Sequence, residues 1–175
     1  MEHLQYPIGK FIAGLSHSEE DIKLFIHQLE LLPKALKNLT ENISNEDLSK
    51  TYREGSWTVK QVIHHLGESH VNCYIRIKLA LTESNPTIKP YNEDLWVKTE
   101  ENELLSHNVS LHLLESIHQK IVCLARSLTV EELQRTYIHP QYQRTSPISD
   151  VLALYSWHGN HHLAHIKSAL NVALQ

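Results

Sequence analysis

Thr58-Val59-Lys60-Gln61-Val62-Ile63-His64-His65-Leu66 is the stretch on which the fold turns. Thr58 and Gln61 stand at the T-x-x-Q spacing of a capping box, in which each side chain bonds the other residue's backbone amide. A helix should therefore start abruptly here. Apolar residues then recur at helical spacing to about Leu81, ahead of the breakers Asn85-Pro86 and Pro90.

Three other segments share that period. One runs from about Ser18 to Thr40, with Ser18 and Asp21 as its cap, a stripe from Ile22 to Leu39, and a kink expected at Pro33. Another spans about Asn108 to Leu128, followed by a brief turn capped by Thr129 and Glu132. The last opens with Ser146 as N-cap and Pro147 in the first helical position, and reaches about Val172. Short turns are expected at Ser44–Lys50 and Asn92–Trp96, and residues Thr136 to Thr145 read as irregular or weakly extended. No strand alternation is sustained. The expected fold is all-α, a four-helix bundle with two long connections.

At 175 residues the chain suits a single domain, residues 1–175. A net charge of -4 argues against a nucleic-acid surface, which needs a basic stripe. No apolar run is long enough to span a bilayer, so no membrane partner is expected. Met1-Glu2-His3-Leu4 lacks the basic and apolar regions of a signal peptide, and a cytoplasmic location is expected. Cys73 and Cys123 then read as free thiols and as core residues, although spacing alone leaves a disulfide open. Fourteen histidines depart from this ordinary composition, and they are not a terminal tag.

Four of these histidines stand in one run of nine residues, Trp157-His158-Gly159-Asn160-His161-His162-Leu163-Ala164-His165. Residues four apart share a helical face, so His158 with His162, or His161 with His165, could hold one ion. Neighbouring apolar residues favour the first pair by a small margin. Such a pair is equally compatible with two half-exposed, metal-free side chains. A third imidazole from the second helix changes the balance. His65 shares a face with Val62, Leu66, Ser69 and Asn72, whereas His64, about 100° away, is expected in solvent. Three neutral imidazoles leave a coordination position open, as catalytic sites do. Ser69, Asn72 and Arg76 follow His65 on nearly the same face. They read as a substrate pocket, with Arg76 holding a carboxylate, or as a polar seam between helices. The chain lacks H-E-x-x-H, paired Glu-x-x-His, C-x-x-C, G-x-S-x-G and phosphate-binding loops, which removes the chemistries those motifs support.

The segment Tyr52 to Leu66, continuing through Ser69-His70-Val71-Asn72 and Tyr74-Ile75-Arg76, resembles the DinB/YfiT-like superfamily, and its YfiT branch most closely. Tyr6-Pro7-Ile8-Gly9, Lys89-Pro90-Tyr91 and the block from Tyr155 to His165 extend the likeness over nearly the whole chain. The resemblance implies a four-helix bundle with one divalent metal ion, Zn2+ or alternatively Ni2+, on His65, His158 and His162. His161 and His165 match no ligand position. They are either groups that orient the ligands or polar residues at the rim. The resemblance also implies an enzyme, with transfer of a low-molecular-weight thiol to a small electrophile as the first expectation. A metal-dependent hydrolase and a non-catalytic metal-binding stress protein are the alternatives. The expected partners are a small-molecule substrate, such a thiol, and a second copy of the chain in a homodimer.

Overall fold

The computed structural model describes residues 2–173. Four long helices form the frame: α2 (Glu19–Thr40), α4 (Val59–Thr82), α7 (His107–Ser127) and α9 (Ile148–Ala169). Shorter helices fill the connections: α1 (Glu2–Gln5), α3 (Asn45–Leu48), α5 (Glu93–Trp96), α6 (Glu100–Leu104) and α8 (Val130–Leu133). The capping boxes expected at Ser18/Asp21, Thr58/Gln61 and Thr129/Glu132 are all formed, with both reciprocal bonds present. α2 carries Pro33 within its span without being divided there.

Both α2 and α4 pack against α7 and α9. The first two long helices therefore occupy opposite corners of the bundle rather than neighbouring ones. Each end of the bundle interior has its own apolar cluster. One gathers Ile26, Ile77, Ile121, Ile148 and Leu152, the other Leu36, Val62, Leu66, Leu114 and Ile166. A belt of buried histidines lies between them on α4, α7 and α9.

Two local expectations need correction. Thr136–His139 (β1) and Arg144–Pro147 (β2) form an antiparallel hairpin, with Tyr137 opposite Ser146 and Thr136 opposite Pro147. The ladder holds Pro147 extended at ψ 162°, so Pro147 is the N-cap of α9 and Ser146 belongs to the strand. Strand pairing has displaced the expected cap by one residue. The connection after α4 joins this hairpin as well: Ile138 N–H donates to Pro86 O (2.8 Å) and Ile88 N–H to Ile138 O (3.0 Å).

The segment before α2 is strapped across α9. Trp157 Nε1 donates to Gly9 O (3.2 Å), Phe11 packs on the Trp157 ring, and Asp150 accepts from Gly14 N–H (3.3 Å) and bonds His17 Nε2 (3.0 Å). α2 packs tightly on α9 at Gly159, where an added Cβ would lie 2.3 Å from Leu32 Cδ2 and 3.3 Å from Leu32 Cγ. Leu32 is buried and has little room to yield. Gly159→Ala should therefore cost about 1–3 kcal/mol by overpacking, lowering Tm by roughly 3–10 °C in a thermal melt. An unchanged Tm would mean that Leu32 turns aside freely.

Candidate metal centre

The abrupt start of α4 fixes His65 two turns into a helix that is buried on two sides. α9 packs against α4 and carries His158 and His162, one turn apart, toward His65. His65, His158 and His162 each offer a ring nitrogen that could hold a metal ion, and these nitrogens all lie within 4.8 Å of one another. His65 Nε2 and His158 Nε2 are 3.1 Å apart, close to the roughly 3.3 Å edge of a tetrahedron built from Zn–N bonds of about 2.0–2.1 Å. Burial holds all three rings in the neutral state that binds metal. It pushes His65 down to about 4 from the ordinary 6.5, and His158 and His162 well below 6.5, with neighbouring histidines adding to the effect on α9. His65 Nδ1 is a buried nitrogen without a hydrogen-bond partner. The donor set, its neutrality and its spacing fit a divalent ion.

The other nitrogens on the α9 pair do have partners. His162 Nδ1 faces His165 Nδ1 at 3.4 Å, and His165 Nε2 meets the Gln5 carbonyl at 3.1 Å. The His165 ring also stacks on Tyr52, centroids 3.8 Å apart. His158 Nδ1 faces His70 Nε2 at 3.3 Å, His70 Nδ1 meets His118 Nε2 at 2.8 Å, and His118 Nδ1 meets Leu29 O at 2.5 Å. His70 and His118 escaped the sequence analysis. Their signal is faint, because His70 lies five residues past His65 and His118 stands alone on another helix.

A cavity of about 460 Å³ opens beside the three imidazoles. Ser69 and Arg76 line it, together with Tyr91, Tyr137 and Tyr155. Arg76 is only 8% exposed, and its Nη1 donates to Tyr155 Oη at 3.1 Å. Among the described residues the guanidinium makes no ion pair, and the ionisable groups acting on it are phenols and Cys73. Burial raises both the Tyr155 and the Cys73 acids against the opposing pull of the Arg76 charge, so both stay protonated and neutral.

Not every expected residue belongs here. Asn72 turns to its own helix, donating from Nδ2 to Glu68 O at 3.0 Å, and does not line the cavity. His64 is 2% exposed rather than solvated, because α4 is covered by α7 on that side, and its Nδ1 bonds Ser110 Oγ at 2.8 Å. His161 forms part of the cavity wall, stacked on Trp157 at 4.5 Å, and makes no hydrogen bond to His158 or His162. His165, in contrast, contacts His162 directly. Both cysteines are free, Cys73 buried and Cys123 exposed. No helix of the described residues is long and apolar enough to cross a membrane.

Several known proteins are similar to this chain in sequence and fold. A protein of Halalkalibacterium halodurans named putative metal-dependent hydrolase is 48% identical over 166 residues, covering 95% of this chain and 96% of its own. A Bacillus cereus protein of the same name is 45% identical over 168 residues, covering 96% of each. YfiT from Bacillus subtilis, described as a probable metal-dependent hydrolase with an unusual four-helix bundle topology, superposes with a TM-score of 0.92 at 37% identity, over 98% of this chain and 99% of its own. A mycothiol-dependent maleylpyruvate isomerase shares the fold at a TM-score of 0.66 and 17% identity, over 83% of this chain and 60% of its own. The DinB superfamily profile matches residues 28–166. The chain thus belongs to the DinB superfamily.

Proposed function

We propose that this protein is a metal-dependent enzyme that acts on a small anionic molecule, with Zn2+, or alternatively Ni2+, held by His65, His158 and His162. One observation carries the reading: a buried guanidinium without an acidic partner, Arg76, lines the same cavity as three converging neutral imidazoles. A charge so placed is costly unless a ligand completes it, so the ligand brings the carboxylate. When bound, the ion supplies Lewis acidity that favours the deprotonated form of a water or thiol. Arg76 and Ser69 orient the ligand, and the tyrosines and tryptophans around them exclude water.

A low-molecular-weight thiol that carries a carboxylate fits both ends of the cavity, its sulfur toward the imidazoles and its carboxylate on Arg76. In the transfer its sulfur forms a bond to an electrophilic carbon. The leaving group departs with the electron pair of the broken bond, and the thiol proton passes to solvent. Hydrolysis by water is the second reading, supported by the name its 48%-identical relative bears. A purely structural metal site would need a fourth protein ligand, and the cluster among the described residues has three.

The test is a screen of metal-loaded protein against haloaromatic and epoxide electrophiles, with cysteine, with 2-mercaptoethanol, and with no thiol. Conjugation that needs both metal and thiol is the expected result. In Arg76→Met the KM for cysteine should rise about 30-fold, matching the roughly 2 kcal/mol of a charged hydrogen bond. The KM for 2-mercaptoethanol, which has no carboxylate, should stay unchanged. Turnover of esters or amides without any thiol would replace transfer by hydrolysis.

A further inference from the structure

Two chains of histidines run from the α9 imidazoles to backbone carbonyls, and their chemistry is directional. A carbonyl oxygen only accepts, and a neutral imidazole has one donor and one acceptor nitrogen. Leu29 O therefore requires the proton of His118 on Nδ1, which leaves His118 Nε2 an acceptor. His70 must then donate to it from Nδ1 and accept on Nε2. That acceptor in turn draws the His158 proton to Nδ1 and leaves the His158 Nε2 lone pair facing His65. The same logic runs from Gln5 O through His165, with its proton on Nε2, to His162, with its proton on Nδ1. His65 has no such chain, and its Nδ1 is unpartnered.

We propose that the His70–His118 pair and His165 are positioning residues that preset the tautomer of the metal-binding imidazoles, so that His158 and His162 present Nε2 lone pairs before any ion arrives. The inference rests on the three-histidine metal site and goes beyond it. His118 sits on α7, which contributes no ligand, and its anchor Leu29 lies on α2. All four long helices thereby bear on one coordination sphere. Partners of this kind fix ring orientation and raise ligand basicity.

Two measurements decide the matter. In metal-free, 15N-labelled protein, long-range 1H–15N spectra should show His118, His70 and His158 each protonated on Nδ1. A proton on Nε2 of His70 or His158 would overturn the proposal. Zinc affinity, read by competition with a chromophoric chelator, should fall about 10–100-fold in His118→Leu. It should remain near the wild-type value in His118→Gln, whose amide oxygen can accept from His70 and whose amide N–H can donate to Leu29 O. Equal affinity of wild type and His118→Leu would also overturn it. Should His118→Leu fail to fold, the wild-type spectra and His118→Gln still decide. Failure of the wild-type protein to bind zinc at all would refute the metal site itself, while the spectra would still judge the histidine chains.

Discussion

His158→Ala, purified without a nickel column, is expected to contain far less than one metal ion per chain and to have no metal-dependent activity. His158 is the hub of the cluster, since its Nε2 faces His65 at 3.1 Å and its Nδ1 faces His70 at 3.3 Å. Removing it leaves two imidazoles, too few for the three protein ligands that catalytic zinc sites employ. Lewis-acid assistance amounts to several kcal/mol, so its loss should lower kcat/KM by roughly 10³ or more. His161→Ala is the informative control. That ring lies three residues away on the same helix but bonds neither ligand, so metal content should remain near stoichiometric. Elemental analysis of the two variants side by side gives the answer. A full complement of metal in His158→Ala would refute the assigned ligands, and depletion in His161→Ala would assign the wrong pair.

Acidification should unfold the metal-free protein sharply, with a midpoint near about pH 5 and well before most carboxylates titrate. Burial holds His64, His65, His118, His161 and His165 down at about 4, and His70, His158 and His162 well below 6.5. In the unfolded chain each returns to an ordinary 6.5. Between 6.5 and about 4 the unfolded chain therefore binds more protons, and stability falls as the pH drops through that window. Each such group contributes a slope of up to ~1.4 kcal/mol per pH unit. The eight acting together would exhaust a stability of about 5–15 kcal/mol within roughly one and a half units. Saturating zinc should move the midpoint to lower pH, because it stabilises only the folded state. Circular dichroism against pH, with chelator and with zinc, measures both. A chelated protein still folded at pH 4 would contradict the prediction.

The helices were legible because their ends are written in polar residues. Ser18/Asp21, Thr58/Gln61 and Thr129/Glu132 are local signals that need no partner from elsewhere, and each formed. Where a signal depended on distant chain, it misled. Ser146-Pro147 has the composition of a helix start, but pairing with Thr136 and Tyr137 drew both residues into a strand. His64 was placed in solvent because one helix ordinarily buries one face, and α4 buries two.

The site shows the same division. Spacing brought His158, His162 and His65 forward, and the superfamily likeness separated them from His161 and His165. The route through His70 and His118 joins residues 48 positions apart inside an apolar core. No periodicity announces such a pairing. Arg76 was marked by its place on the His65 face, but the three phenols around it come from the α4–α5 connection, the hairpin and α9.

The cavity wall opposite the imidazoles has a consequence of its own. It is assembled from the strap before α2, through Phe11, from the connection after α4, through Pro90 and Tyr91, and from the hairpin, through Tyr137, His139 and Tyr142. None of these segments supplies a metal ligand, and none is a frame helix. Loops tolerate insertion and substitution far better than packed helices do. The architecture is therefore modular in an evolutionary sense: its substrate range can drift through three peripheral segments while the inner chemistry is inherited intact.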